Sequence, residues 1–386
     1  MGFFPGTELI TYDDMFLYLT MSTLPPRPWP KTIGGMPVRF DLRTGPPRTP
    51  NPPKFFKKGQ PVSVRNGRVA DDTNWRGLVD WQPFFHAVKD HFATMNVSIT
   101  EVIYWKFSAT VVLEHRHTDM SKIPATVGQV RCFYAYEDQM GRNAPRQARR
   151  QHEPSPGNPD NNQYQALRPG VRVSSAYLPS QPGTYMSTTT GVMLKDSLGY
   201  EYLTVTDHGF PAECGTRVMH PSPDGRDIGE LIMGVGHTDI ALVKLNQGER
   251  FANTTFHNTL LEDSTKLKRL VDEKSYRPGD TLYLDSPDTG CLDGTAMYAG
   301  MRRYPSDDPT KQHWVFVDWI YMGQNSAKQL PDGMCGSAVW ATNGDVIGFF
   351  QYAPKDGLME DWCAAVGSQE LIDRGYSLSR TEIDED

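Results

Sequence analysis

Asp332-Gly333-Met334-Cys335-Gly336-Ser337-Ala338-Val339-Trp340 sets a cysteine between two glycines and runs directly into an apolar stretch with β character. Glycine at 333 permits a tight turn, so the amides of Gly333 and Cys335 can converge on one point where negative charge develops. Gly336 leaves the thiol uncrowded. A nucleophile in such a turn needs a base within hydrogen-bond reach and an acid that fixes the base's tautomer. Two upstream segments supply those residue types. Leu203-Thr204-Val205-Thr206-Asp207-His208-Gly209 ends an apolar strand on a histidine, and Thr238-Asp239-Ile240-Ala241-Leu242-Val243-Lys244-Leu245 places an aspartate just before another. Taken singly, each has an ordinary reading: a structural histidine, a strand-opening aspartate, a Gly-x-Cys-Gly turn.

The surroundings of these segments are written in β grammar. From about residue 171, short apolar runs at 190–195, 202–206, 230–233, 240–245, 281–284, 314–320 and 346–352 are separated by Gly, Pro, Asp and Asn turns, a spacing that predicts a sandwich or barrels. The 34 glycines and 30 prolines in 386 residues favour such short strands over a helical bundle. Upstream, residues 1–75 are proline-rich, as in Pro25-Pro26-Arg27-Pro28-Trp29-Pro30, and read as an extended arm or as a ligand for a partner protein's aromatic groove. Residues 76–139 read as a small α+β unit. Asp80 can cap a helix carrying Phe84, Phe85, Val88, Phe92 and Met95 at a 3.6-residue period, and strands follow, alternating at 97–107 and 130–136 with the apolar run 111–113 between them. Residues 140–170, with Arg142, Arg146, Arg149 and Arg150 ahead of a Pro/Asn-rich run, read as a linker. The main β domain then spans 171–376, and 377–386 form an acidic tail.

In their order, His208, Asp239 and Cys335 resemble the chymotrypsin-like proteases. Leu-Thr-Val-Thr-Asp-His is similar to that family's strand ending in Ala-Ala-His, and Asp-Ile-Ala-Leu-Val-Lys-Leu is close to its aspartate motif. Gly-Met-Cys-Gly-Ser-Ala resembles Gly-Asp-Ser-Gly-Gly-Pro, with Cys335 at the serine's place as in the viral chymotrypsin-like cysteine proteases. Gly344-Asp345-Val346-Ile347-Gly348-Phe349-Phe350 resembles the strand that returns along the substrate pocket. The resemblance spans roughly 180–355. It implies a mainly β chain whose C-terminal domain is a chymotrypsin-like double β-barrel. It also implies an endopeptidase with a Cys335-His208-Asp239 triad and an oxyanion hole from Gly333 and Cys335. The pocket walls would be Gln329, Leu330, Phe350, Gln351, Tyr352 and Ala353, suited to an apolar or uncharged polar side chain. Ser337 is a rival nucleophile, but Ala338 rather than glycine follows it. Met334 and Asp207 depart from the family pattern, which keeps a second reading open: an inactive protease-shaped binding module.

Bulk properties narrow the rest. A net charge of −7 argues against a general nucleic-acid binder, and no stretch reaches the length of a membrane span. Five scattered cysteines (132, 214, 291, 335 and 363) without CxxC spacing argue against a disulfide framework or zinc knuckle. Met1-Gly2-Phe3-Phe4-Pro5-Gly6 lacks the basic region and apolar core of a secretory leader. The expectation is an intracellular chain, cytoplasmic or otherwise, that needs no metal or cofactor and acts on a protein or peptide.

Overall fold

The computed structural model describes residues 4–12, 16–43, 81–105, 108–142, 149–150, 159–304, 313–326 and 330–380. The architecture is mainly β, with barrel-forming sheets, as the turn-punctuated sequence implies. Among the described residues, most strands fall into a nine-stranded and an eleven-stranded sheet. Glu201–Thr206 and Ile240–Leu245, which lead to and from the His208 and Asp239 segments, are antiparallel neighbours in the first, with Thr206 opposite Ile240. Ala338–Ala341 and Asp345–Tyr352, downstream of Cys335, form a hairpin in the second.

The two sheets meet through apolar side chains. Leu194, Ile240 and Leu242 from the first pack with Ala338, Trp340, Val346 and Phe349 from the second in one buried cluster. Burying side chains of this size stabilises by about 1.5–3 kcal/mol each, so the contact between the sheets is firm. It brings the His208 end of one sheet to the Cys335 turn of the other.

The N-terminal third differs from the sequence expectation. Residues read as part of an extended arm include Thr7–Tyr12, Leu17–Met21, Thr32–Ile33 and Met36–Leu42, which form a four-stranded sheet around Leu19, Met21, Val38 and Phe40. Prolines 25–30 sit in the connection between strands, where their missing amides cost no ladder bond. The Gln324 side chain both donates to and accepts from the Phe40 backbone, tying this sheet to the larger one.

Residues 76–139 are likewise not a unit apart. Ile99–Trp105 pairs antiparallel with Gly290–Tyr304, so Ile99–Trp105, Ser108–Leu113 and Val130–Tyr136 extend the eleven-stranded sheet. Helix Gln82–Thr94 lays Phe84, Phe85, Val88 and Phe92 onto that extension, the face its period marks. Trp81 occupies the cap position without a side-chain cap bond, and Asp80 lies outside the described residues.

In the stretch read as a linker, Arg149–Arg150 and Ala166–Leu167 are short strands. Arg146 and residues 151–158 lie outside the described residues. The stretch read as an acidic tail begins with strand Ser377–Leu378, paired to Leu194 and Lys195; residues 381–386 are outside the description. Among the described residues, no helix is long and apolar enough to cross a membrane.

Candidate active site

His208 stands in a single 3₁₀ turn, Asp207–Gly209, at the end of strand Glu201–Thr206. Asp239 stands one residue before Ile240–Leu245, with φ +62°, a left-handed conformation that aspartate tolerates better than most side chains. That backbone swing turns its carboxylate toward the histidine. Asp239 Oδ2 lies 2.7 Å from His208 Nδ1, and Asp239 Oδ1 accepts the His208 backbone N–H at 3.1 Å. The Asp239 carbonyl also accepts the Asp207 N–H at 2.9 Å and the Thr206 hydroxyl at 3.2 Å. Both side chains are nearly closed to solvent, at 12 % and 5 % exposure.

This arrangement assigns the tautomer. Ionised Asp239 only accepts, so Nδ1 carries a proton in either charge state of the ring, and the proton the ring gains or loses sits on Nε2. Burial pulls the His208 imidazolium down, but Asp239 and the neighbouring Cys335 sulfur outweigh it and hold the ring at about 9.

The Cys335 turn is clamped from the first sheet. Its carbonyl accepts the Thr189 N–H at 3.0 Å and the Thr188 hydroxyl, while the Gly333 carbonyl accepts the Thr189 hydroxyl at 2.8 Å. On the other side, Gly336 N–H donates to the Phe350 carbonyl at 2.8 Å. The Cys335 thiol donates to the Gln351 carbonyl at 3.0 Å. Among the described residues the Gly333 and Cys335 amides have no acceptor, which leaves both donors available to a ligand oxygen. Gly333 and Gly336 have φ of +102° and +90°. A Cβ at 336 would stand 2.5 Å from the Thr189 carbonyl oxygen, so glycine is required there on two counts.

Ser337 is fully buried and its hydroxyl donates to the Met334 carbonyl at 2.7 Å, an arrangement suited to holding the turn rather than to attack. Met334 is itself fully buried in the second sheet's core. Asp207 is exposed, with its carboxylate against Gly234. Cys132 and Cys363 are buried in the cores, and burial pushes both thiols far up, Cys132 to about 12. Cys291 is pushed up to about 12, by burial and then by Asp285 and Asp293.

The residues named as pocket walls are placed unevenly. Gln329 lies outside the described residues. Leu330 and Phe350 are buried in the second sheet's core, with Ala353 packed against it. The Gln351 amide oxygen accepts from Arg302, and the Tyr352 hydroxyl accepts from Arg142 at 3.0 Å. Arg142 in turn is paired with fully buried Glu101 and with Glu137. The strand beside Cys335 therefore rests on a polar network supplied partly by residues 101–142. Sequence reasoning missed this support, and missed the Thr188–Thr189 clamp as well. The run Ser187-Thr188-Thr189-Thr190 carried a signal for the clamp, because three adjacent buried threonine hydroxyls need partners.

No known family profile and no curated protein matches this chain. Among solved structures it is similar to a glutamic acid-specific serine protease (12 % identity, 55 % of this chain and 100 % of that one, TM-score 0.40). It is also similar to a Nocardiopsis protease (12 %, 55 % and 98 %, 0.37) and to a Cellulomonas bogoriensis chymotrypsin (13 %, 56 % and 100 %, 0.37). At such scores the likeness carries no argument about this chain's chemistry, which has to come from the geometry of its own residues.

Proposed function

We propose that the chain is a cysteine endopeptidase using Cys335, His208 and Asp239. One observation carries the reading. Asp239 fixes Nδ1 of His208, and the Cys335 sulfur stands near enough to the ring to help raise the histidine's pKa.

In this reading the sulfur of Cys335 attacks a peptide carbonyl, and the developing oxyanion takes hydrogen bonds from the Gly333 and Cys335 amides. His208 then gives its proton to the leaving amine, forming a thioester. Water, deprotonated by His208, hydrolyses the thioester and restores the thiol. Asp239 holds the tautomer throughout. The intact His208–Asp239 pair supports this reading over the inactive-module alternative.

The test is cleavage of a mixed peptide library by the purified chain, with new termini mapped by mass spectrometry. Cuts made by the wild type and abolished in both Cys335→Ala and His208→Ala are expected. An uncut library, or cuts that persist in Cys335→Ala, would contradict the proposal.

A further inference from the structure

The first sheet ends in a strand that does not come from the β domain proper. Arg149–Arg150 pairs antiparallel with Thr184–Thr189, Arg150 opposite Thr184 and Arg149 opposite Tyr185. The other flank of Thr184–Thr189 is taken by Arg172–Tyr177, so Arg149–Arg150 occupies the open edge. The far end of Thr184–Thr189 is the clamp on the nucleophile turn, where Thr188 and Thr189 hold the carbonyls of Cys335 and Gly333. From Tyr185 to Thr188 is about 10 Å at a strand's rise of ~3.3 Å per residue. Antiparallel pairing fixes direction: the N-terminal end of Arg149–Arg150 faces Cys335.

We propose that this edge is a docking surface for extended polypeptide and that Arg149–Arg150 is its internal occupant, competing with outside peptides for the approach to Cys335. The inference rests on the peptidase reading and adds a direction to it. A peptide seated like Arg149–Arg150 lies with the residues that follow the attacked bond along Thr184 and Tyr185, and its carbonyl upstream at the sulfur. Recognition on an edge is by main-chain hydrogen bonds, so the edge reads extension and strand polarity before side-chain identity. An occupant present about 90 % of the time weakens apparent peptide affinity about tenfold.

The experiment uses the full chain as wild type, as Arg149→Pro/Arg150→Pro, which removes both amide donors, and as Arg149→Ala/Arg150→Ala, which keeps them. Three readouts are combined: amide hydrogen exchange of residues 149–150 and 184–189, alkylation of Cys335 by iodoacetamide, and its alkylation by a peptide carrying the electrophile with several residues C-terminal to it. Slow exchange at 149–150 in wild type is expected. In the proline variant exchange at 184–189 quickens, a synthetic peptide of the sequence of residues 149–153 slows it again, and peptide-electrophile labelling rises about tenfold. Iodoacetamide labelling stays unchanged in all three chains, and the alanine variant behaves as wild type.

Exchange at the unprotected rate at 149–150 in wild type, a measurement that needs no variant, would overturn the proposal. So would peptide-electrophile labelling indifferent to proline while iodoacetamide labelling is fast. Slow, His208-independent iodoacetamide labelling instead sinks the peptidase reading, and the exchange data then still decide whether the edge is occupied.

Discussion

Asp239 grips His208 at two atoms, one carboxylate oxygen on the ring Nδ1 at 2.7 Å and the other on the backbone N–H at 3.1 Å. The backbone bond fixes where the carboxylate sits, and the ring bond fixes how the imidazole is turned. A charge-assisted bond of that kind is about twice as strong as a neutral one, and here solvent scarcely competes. The consequence is electrical as well as geometric.

Replacing Asp239 by asparagine removes the charge while keeping the shape. Burial, which pulls His208 down, then loses its main opponent, so the titration midpoint falls from about 9 toward the ordinary value, with only the Cys335 sulfur left to oppose burial. The sign for stability follows from the raised pKa. In the wild type the contribution of this pair is complete below about 6.5 and fades as pH rises through about 9. The stability gap between wild type and Asp239→Asn is therefore expected to be wide at about pH 6 and to narrow by about pH 10. Histidine ring NMR and denaturation midpoints measured against pH check both halves. A His208 midpoint unmoved by the substitution would contradict them.

Gly336 tests the clamp on the Cys335 turn. Gly336→Ala meets a left-handed φ and a Cβ position 2.5 Å from the Thr189 carbonyl oxygen, whereas Gly199, at φ +91°, has open space around its Cβ position. Both alanines bear the conformational strain of about 1–2 kcal/mol, but only the first must also push the turn away from Thr189. Gly336→Ala is expected to lose roughly twice as much stability as Gly199→Ala, and Cys335 reactivity with it. Equal losses in thermal midpoint and unchanged Cys335 labelling would show that the turn has room to spare.

Much of the local structure around the candidate residues was legible because it is set by neighbours in sequence. The strand Ile240–Leu245 carries its apolar run and its leading aspartate in one short segment, and helix Gln82–Thr94 buries the four phenylalanine and valine positions its period marks. What could not be read was partnership at long range. Nothing in Ile99–Trp105 says that it pairs with Gly290–Tyr304, nearly two hundred residues away, because alternation gives a strand its faces and not its neighbour. The same holds for Thr7–Tyr12 and Leu17–Met21, where proline richness nearby masked two ordinary strands. The Arg302 and Arg142 contacts with Gln351 and Tyr352 depend on that unseen pairing, so the support of the pocket strand was invisible too.

Asp318 gives a pH test away from the site. It sits on a central strand with the Tyr276 hydroxyl donating to it, and burial lifts it to about 7, the hydroxyl opposing and Glu273 adding to the rise. A carboxyl whose folded pKa is raised contributes stability below its unfolded pKa, near 3.8, and loses it as pH climbs through about 7. Asp318→Asn is accordingly expected to gain on the wild type from about pH 4 to about pH 8. Thermal midpoints across that range decide it, and a wild type that gains on the variant as pH rises would reverse the assignment.

The central claim is that Cys335 is an activated nucleophile, and alkylation of the native protein by iodoacetamide at neutral pH, mapped by mass spectrometry, tests it most directly. Cys335 is expected to react fastest among the five cysteines, to slow by about a hundredfold in His208→Ala, and to keep its rate in Ser337→Ala. Slow labelling spread over several cysteines and indifferent to His208 would contradict the account and leave a protease-shaped protein without a protease's chemistry.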